Sequence, residues 1–218
     1  ISGAFGVFNR RRVLEIGGYM TGTGTYRRDT VGEDMELVVR LVRHMHDQKA
    51  PFSIEYAHNA NCWTEVPEHW SGLLRQRDRW QRGLIEIMTY HKSMLFNARY
   101  RQAGLVAFPY LFVFEVVGPF LELLGYGIVF LSLLFGLLSI KVVGLLFAAS
   151  ILLGMLVSLS SLYLSENGII FFKGRDFFRV FGAALVENFG YRQFMSWQRS
   201  ISYVSFLFRN KGWQHLTR

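Results

Sequence analysis

Sixty consecutive residues, 105–164, carry only three charges: Glu115, Glu122 and Lys141. A run this apolar is too costly to leave in water, and it is long enough for two membrane crossings of about 20 residues each. Pro109, Gly118 and Pro119 interrupt its first half. The pattern therefore predicts an interfacial or tilted piece before Gly118, a span over 119–138 and a second span over 142–164, with Lys141 in the hairpin between them. The whole chain is 51% hydrophobic and 18% charged, outside the range of an ordinary soluble domain. The charges are concentrated elsewhere, so residues 1–104 read as a water-facing part.

Within that part, Ile1 to Phe8 reads as a short glycine-broken strand. Asn9 to Gly17 reads as a short helix ended by Gly17-Gly18, and Thr21 to Asp29 as an aperiodic loop. Glu33 to His46 has helical spacing, with Leu37, Val38, Leu41, Val42 and Met45 on one face. Ser53 to Tyr56 reads as a strand. Pro67 suits the first turn of a helix running from about Glu68 to Met88. Its apolar stripe is Trp70, Leu73, Leu74, Trp80, Leu84 and Ile87.

Beyond the apolar run, residues 165–179 are polar and basic. Residues 177–208 mix aromatics with Glu187, Arg192 and Arg199, and fit either a third span followed by an amphipathic helix or two helices on the membrane surface. Arg209, Lys211 and Arg218 favour a cytosolic C-terminus, hence two spans and the surface reading. Glu115 and Glu122, seven residues apart, share a helix face. Each calls for an internal partner such as Arg192, or for a place along a wet path.

The net charge is +8. No segment has a nucleic-acid-binding pattern, so nucleic acid is excluded as a partner, and anionic lipid or a phosphorylated ligand is favoured. Cys62 is the only cysteine, which excludes an intrachain disulfide and suggests a buried structural thiol. The six histidines do not have metal-ligand spacing: His44 and His46 fall on different helix faces, and His58 and His69 lack a paired ligand.

Two short motifs remain. Gly32-Glu33-Asp34 opens a helix, where carboxylates gain ~0.3–1 kcal/mol each from the helix dipole and need no further reason to be there. In Gln76-Arg77-Asp78-Arg79-Trp80, the residues Gln76, Arg79 and Trp80 share one helix face, with Arg75, Arg79 and Arg82 as a basic stripe beside them. That arrangement suits a helix lying on anionic lipid. It also suits phosphate recognition, because guanidinium binds phosphate oxygens in a bidentate way.

Taken in order, a Glu-Asp pair, a Gln/Arg/Trp cluster and then membrane helices resemble the C-terminal half of a processive glycosyltransferase of family 2. Cellulose, hyaluronan and poly-N-acetylglucosamine synthases are members of that family. The resemblance implies an α/β fold: residues 1–100 as the C-terminal part of a GT-A-type catalytic domain, residues 101–164 as an interfacial helix and two transmembrane helices, and residues 165–218 as a basic loop, an amphipathic or third membrane helix and a tail. It implies an inverting enzyme that moves a sugar from a nucleotide sugar, first of all a UDP-sugar, to a growing β-linked polysaccharide. It also implies a multi-pass protein of the inner (plasma) membrane with a cytosolic catalytic part.

By the same resemblance Asp34 is the general base, with Glu33 beside it; the family's usual Thr is replaced by Gly32. Arg79 pairs with the pyrophosphate, Trp80 stacks on the acceptor sugar, and Gln76 and Arg77 complete the substrate surface. Ser2 and Gly3 match a small-residue segment near the acceptor end. Cys62 to Glu65 match a segment that closes the catalytic domain, a structural role. A divalent cation, Mg or Mn, is implied on an Asp-x-Asp motif. These 218 residues do not contain one. The chain starts at Ile1 with no leader, so the expectation is an upstream half that holds the cation and without which this part is inactive. Two other readings remain open, a non-processive glycolipid glycosyltransferase and a non-catalytic membrane transport or scaffold subunit.

Overall fold

The computed structural model describes residues 6–21, 30–55, 62, 64–166 and 174–208. Ser2, Gly3, the loop 22–29, Tyr56, His58, Trp63 and the tail charges Arg209, Lys211 and Arg218 lie outside them.

Helix α1, Arg10–Glu15, begins where the Asn9 side chain accepts from the backbone N–H groups of Arg11 and Arg12 at 3.1 and 3.4 Å. It ends as Gly17 and Gly18 turn to positive φ and Gly18 N–H closes onto Val13 O at 2.9 Å. Helix α2, Glu33–Asp47, carries Glu33, Asp34 and Glu36 in its first turn and His44 and His46 in its last, both favourable for its dipole. Helix α3 is Trp70–Tyr90. It starts two residues later than the sequence pattern suggested, so Pro67 precedes the helix instead of lying in its first turn. Single turns at Lys92–Met94 and Ala98–Tyr100 then lead into the apolar run.

That run forms one helix, α4, Ala103–Leu134. The break expected before Gly118 does not occur. The backbone widens into π-type turns over Ala103–Ala107 and Leu111–Val117, just before Pro109 and Pro119. Wider turns relieve the clash and the missing N–H that a proline brings to a regular helix. Gly136, at φ +68°, turns the chain. Helix α5, Ile140–Glu166, follows and takes Lys141 into its first turn. Two further helices, α6 at Gly174–Val186 and α7 at Tyr191–Phe208, occupy the stretch for which two arrangements were open.

Among the described residues two helices are long and apolar enough to cross a membrane, Ala103–Leu134 and Ile140–Ser161, and only 11% and 6% of their most apolar windows are buried. Core helices of a soluble protein would be covered; these present their apolar side chains outward, which fits membrane association.

The described residues include no strand. Residues 6–8 and 53–55, expected to be extended, have no regular structure. A three- or four-residue strand has little stability until a neighbour pairs with it. Only the helical part of the α/β expectation is seen. Cys62 is exposed, against the expectation of a buried thiol.

The chain divides into two compact units: the described parts of 1–53, 62–119 and 198–218, and those of 54–61 and 120–197. The first has a core of Leu84, Ile87, Met88, Met94, Tyr100, Phe108 and Val116, against which Met35, Val39 and Val42 of α2 and Tyr203 of α7 pack. In the same unit Arg199 pairs with Glu115, and Gln81 joins them, accepting from Arg199 Nε at 3.1 Å and donating to Glu115 O at 3.3 Å. In the second unit, α5 packs on α6. Glu122 there accepts from Tyr126 at 2.6 Å and Ser196 at 2.5 Å, with Arg192 at 3.6 Å. Both apolar-run carboxylates thus have internal cationic partners, Arg192 for Glu122 as the sequence suggested and Arg199 for Glu115.

Candidate functional site

The two sequence motifs meet through a pair of glycines. A Cβ on Gly83 would lie 3.0 Å from Gly32 N and 3.1 Å from Gly32 Cα, and one on Gly32 would lie 3.3 Å from Gly83 Cα. The turn that opens α2 therefore rests directly on the backbone of α3, an approach that favours glycine at both positions. Gly83 follows Arg79 by four residues, Trp80 by three and Gln76 by seven, so these side chains rise from the same face of α3 that carries the contact. The contact thus joins the start of α2 to the helix that carries the Gln76–Trp80 cluster, one to two turns from it.

Asp34 is half-buried and Glu33 exposed, and neither has an ion-pair partner among the described residues. Arg79 is exposed and is likewise without an ion-pair partner among them. Its neighbours are engaged: Arg82 pairs with Asp78 at 2.8 Å, and the Arg77 guanidinium lies 4.6 Å from the centre of the Trp80 ring. Trp80 is 52% exposed even with one ring face covered by Arg77, so its other side faces outward. The result is a shelf carrying an unpaired carboxylate, an unpaired guanidinium and an indole. Ser2 and Gly3 lie outside the described residues.

A second group of polar residues, missed in the sequence, holds this shelf in place. Glu36 is 0% exposed. Its carboxylate meets Arg40 at 3.0 Å and His91 Nε2 at 3.2 Å. Arg43 Nη1 lies 3.5 Å from His91 Nδ1, so Nδ1 accepts and the ring proton on Nε2 goes to Glu36. Arg40 also donates to the carbonyls of Ile16 at 2.9 Å and Gly18 at 2.5 Å. The cluster ties α2 to the end of α3 and to the turn after α1. Nearer the motif, Glu86 accepts from Thr30 Oγ at 2.7 Å and Val31 N–H at 3.3 Å. The one signal available in sequence was spacing: Arg40 follows Glu36 by four, and Glu86 continues the row of Gln76, Arg79 and Gly83.

A cavity of about 400 Å³ opens beside the cluster, lined among others by Glu15, Arg40, His44 and His91. Arg12, hydrogen-bonded to Glu15 at 2.8 Å, holds that carboxyl below its usual range. None of Glu33, Asp34, Gln76, Arg77, Arg79 and Trp80 is among the residues that line this cavity. Among the described residues no three His, Cys, Asp or Glu side chains converge as a metal site.

Over residues 1–163 the chain matches the family described as glycosyl transferase family group 2. It is similar to a poly-beta-1,6-N-acetyl-D-glucosamine synthase of Staphylococcus epidermidis, 33% identical over 88 residues, which are 40% of this chain and 18% of that protein. The synthase of the same name from Staphylococcus aureus shows the same identity over the same shares. The matched part spans less than a fifth of those relatives. No solved structure matches significantly. Because the family match takes in residues 1–163 of 218, the chain belongs to glycosyl transferase family group 2.

Proposed function

We propose that this chain carries the acceptor-side half of an inverting sugar transfer, from a UDP-sugar to a growing β-linked polysaccharide, with Asp34 as general base. The observation that supports the reading is the Gly32–Gly83 contact, which brings the turn before Glu33-Asp34 onto the helix that bears Arg79 and Trp80. In the reaction an acceptor hydroxyl oxygen bonds to the anomeric carbon as the bond from that carbon to the nucleotide diphosphate breaks. The bonding pair leaves with the diphosphate, and the hydroxyl proton passes to Asp34, which must be ionised and within hydrogen-bond reach. Arg79 binds the diphosphate through its planar fork. The outward face of Trp80 stacks on the acceptor sugar, while Arg77 on the opposite face holds the indole. Gln76, one turn earlier, adds hydrogen bonds. Glu33 stays exposed beside Asp34.

The names of the relatives make UDP-N-acetylglucosamine the first donor to test. For localisation, α4 and α5 cross the inner membrane, and the α2–α3 unit faces the cytosol. Lys92, Arg99 and Arg101 precede the first crossing, as the cytosolic charge bias requires.

Asp34→Asn in the full-length protein tests the base directly. Polymer formation from radiolabelled UDP-N-acetylglucosamine should fall by about 10²–10⁴-fold, with UDP binding kept within about threefold. A variant that retains more than about a third of parental turnover rules out Asp34 as the base.

A further inference from the structure

We propose that Glu86 is a positioning residue for Asp34, and that it acts through hydrogen bonding and not through its charge. The proposal rests on the general-base reading of Asp34.

A helix start is ordinarily fixed by a Ser, Thr, Asp or Asn side chain at the N-cap. Here the N-cap is Gly32, and no side chain caps the helix. A Cβ at Gly32 would lie 3.3 Å from Gly83 Cα, a tight fit. The fixing comes instead from α3. One oxygen of Glu86, Oε2, accepts from both Thr30 Oγ at 2.7 Å and Val31 N–H at 3.3 Å. Thr30 Oγ in turn accepts from Gly32 N–H at 3.2 Å. Thr30 is buried. A single side chain on α3 thus fixes the three residues that lead into Glu33-Asp34. It rises from the face that carries Arg79 and Gly83, so it sets the acid–base turn and the phosphate-binding helix in one register.

Losing this link leaves Val31 N–H and Thr30 Oγ without their acceptor and lets the turn rotate. A base displaced by about 1 Å can cost on the order of 10²-fold in turnover while donor contacts survive. Since both bonds end on one oxygen, the amide oxygen of glutamine can replace it.

The test uses full-length protein in membrane vesicles, with initial rates measured over a range of UDP-N-acetylglucosamine and thermal melting recorded alongside. Glu86→Leu should lower kcat by about 10–100-fold with the donor KM within about twofold, and Glu86→Gln should stay within about threefold of the parent. Thr30→Val, nearly isosteric, should lose kcat as Glu86→Leu does, and the double variant should be no worse than the poorer single one. Parental kcat in Thr30→Val or Glu86→Leu overturns the proposal. So does a Glu86→Gln variant as inactive as Asp34→Asn, since the charge would then be what acts. If Glu86→Leu does not fold, Thr30→Val and Glu86→Gln decide. Asp34→Asn, run in the same assay, separates the two readings. An active Asp34→Asn removes the base itself. An inactive one beside a parental Thr30→Val removes only the role of Glu86.

Discussion

Helix α3 changes character halfway along. From Trp70 to Trp80 its side chains are exposed or half-buried, whereas from Gln81 onward Gln81, Gly83, Leu84, Ile85, Ile87 and Met88 are buried. The sequence motif sits in the first half, and the packing that fixes the helix sits in the second. The division has a physical reason. A substrate surface needs side chains that solvent and ligand can reach, yet those side chains must not wander. Anchoring the second half against α2, α4 and α7 makes the first half a rigid outward shelf. Precision at the shelf then depends on residues that touch no substrate.

Substitutions in the two halves should therefore fail in different ways. The largest expected effect on stability is at the cap that ends the buried half. His91→Leu removes the hydrogen bond from His91 to the fully buried Glu36 and leaves that acceptor short of a partner, at a cost of about 1–3 kcal/mol. Thermal melting of the detergent-solubilised protein should fall, while UDP affinity of the surviving folded fraction stays near parental. A parental melting temperature would mean that the cluster does not hold α2 and α3 together.

A smaller effect, of the opposite kind, is expected from the exposed half. Arg79→Lys keeps the charge but loses the planar fork, so UDP affinity should fall about tenfold, or about 1.4 kcal/mol, with melting unchanged. Isothermal titration with UDP on both proteins measures it. Equal affinities would assign Arg79 to lipid or solvent and break the contrast between the halves.

The same contrast explains what could be read in the sequence. The α2 helix was legible because Leu37, Val38 and Met45 repeat at helical spacing and are buried. The apolar stripe drawn along α3 was only half right, since Leu84 and Ile87 are buried while Trp70 and Trp80 are exposed. Periodicity marks which side chains share a face, and it does not say where along the helix the core ends. The span boundaries shifted because Gly118-Pro119 reads as a break, whereas π-type turns carry the helix through it.

Both motifs were legible as local strings of unusual chemistry. Their meeting was not, because it depends on two glycines about fifty residues apart, and single glycines inside a helix pattern have many possible reasons to be there. The supporting residues were hidden for the same reason. His91 reaches Glu36, and Glu86 reaches Val31, each across 55 residues of sequence.

The central claim is that the Glu33-Asp34 turn and the Gln76–Trp80 face form one site because Gly32 rests on Gly83. Gly83→Ala tests it most directly. The added methyl would meet the Gly32 backbone at about 3.0 Å, so the turn must move away from α3. Transfer from UDP-N-acetylglucosamine and UDP binding should be measured on the same membrane preparation, with melting as the check on folding. A kcat lowered by at least about tenfold with UDP affinity within about threefold is the predicted result. Parental turnover in Gly83→Ala, and in the bulkier Gly83→Leu, would contradict it and leave the two motifs as separate features of the chain.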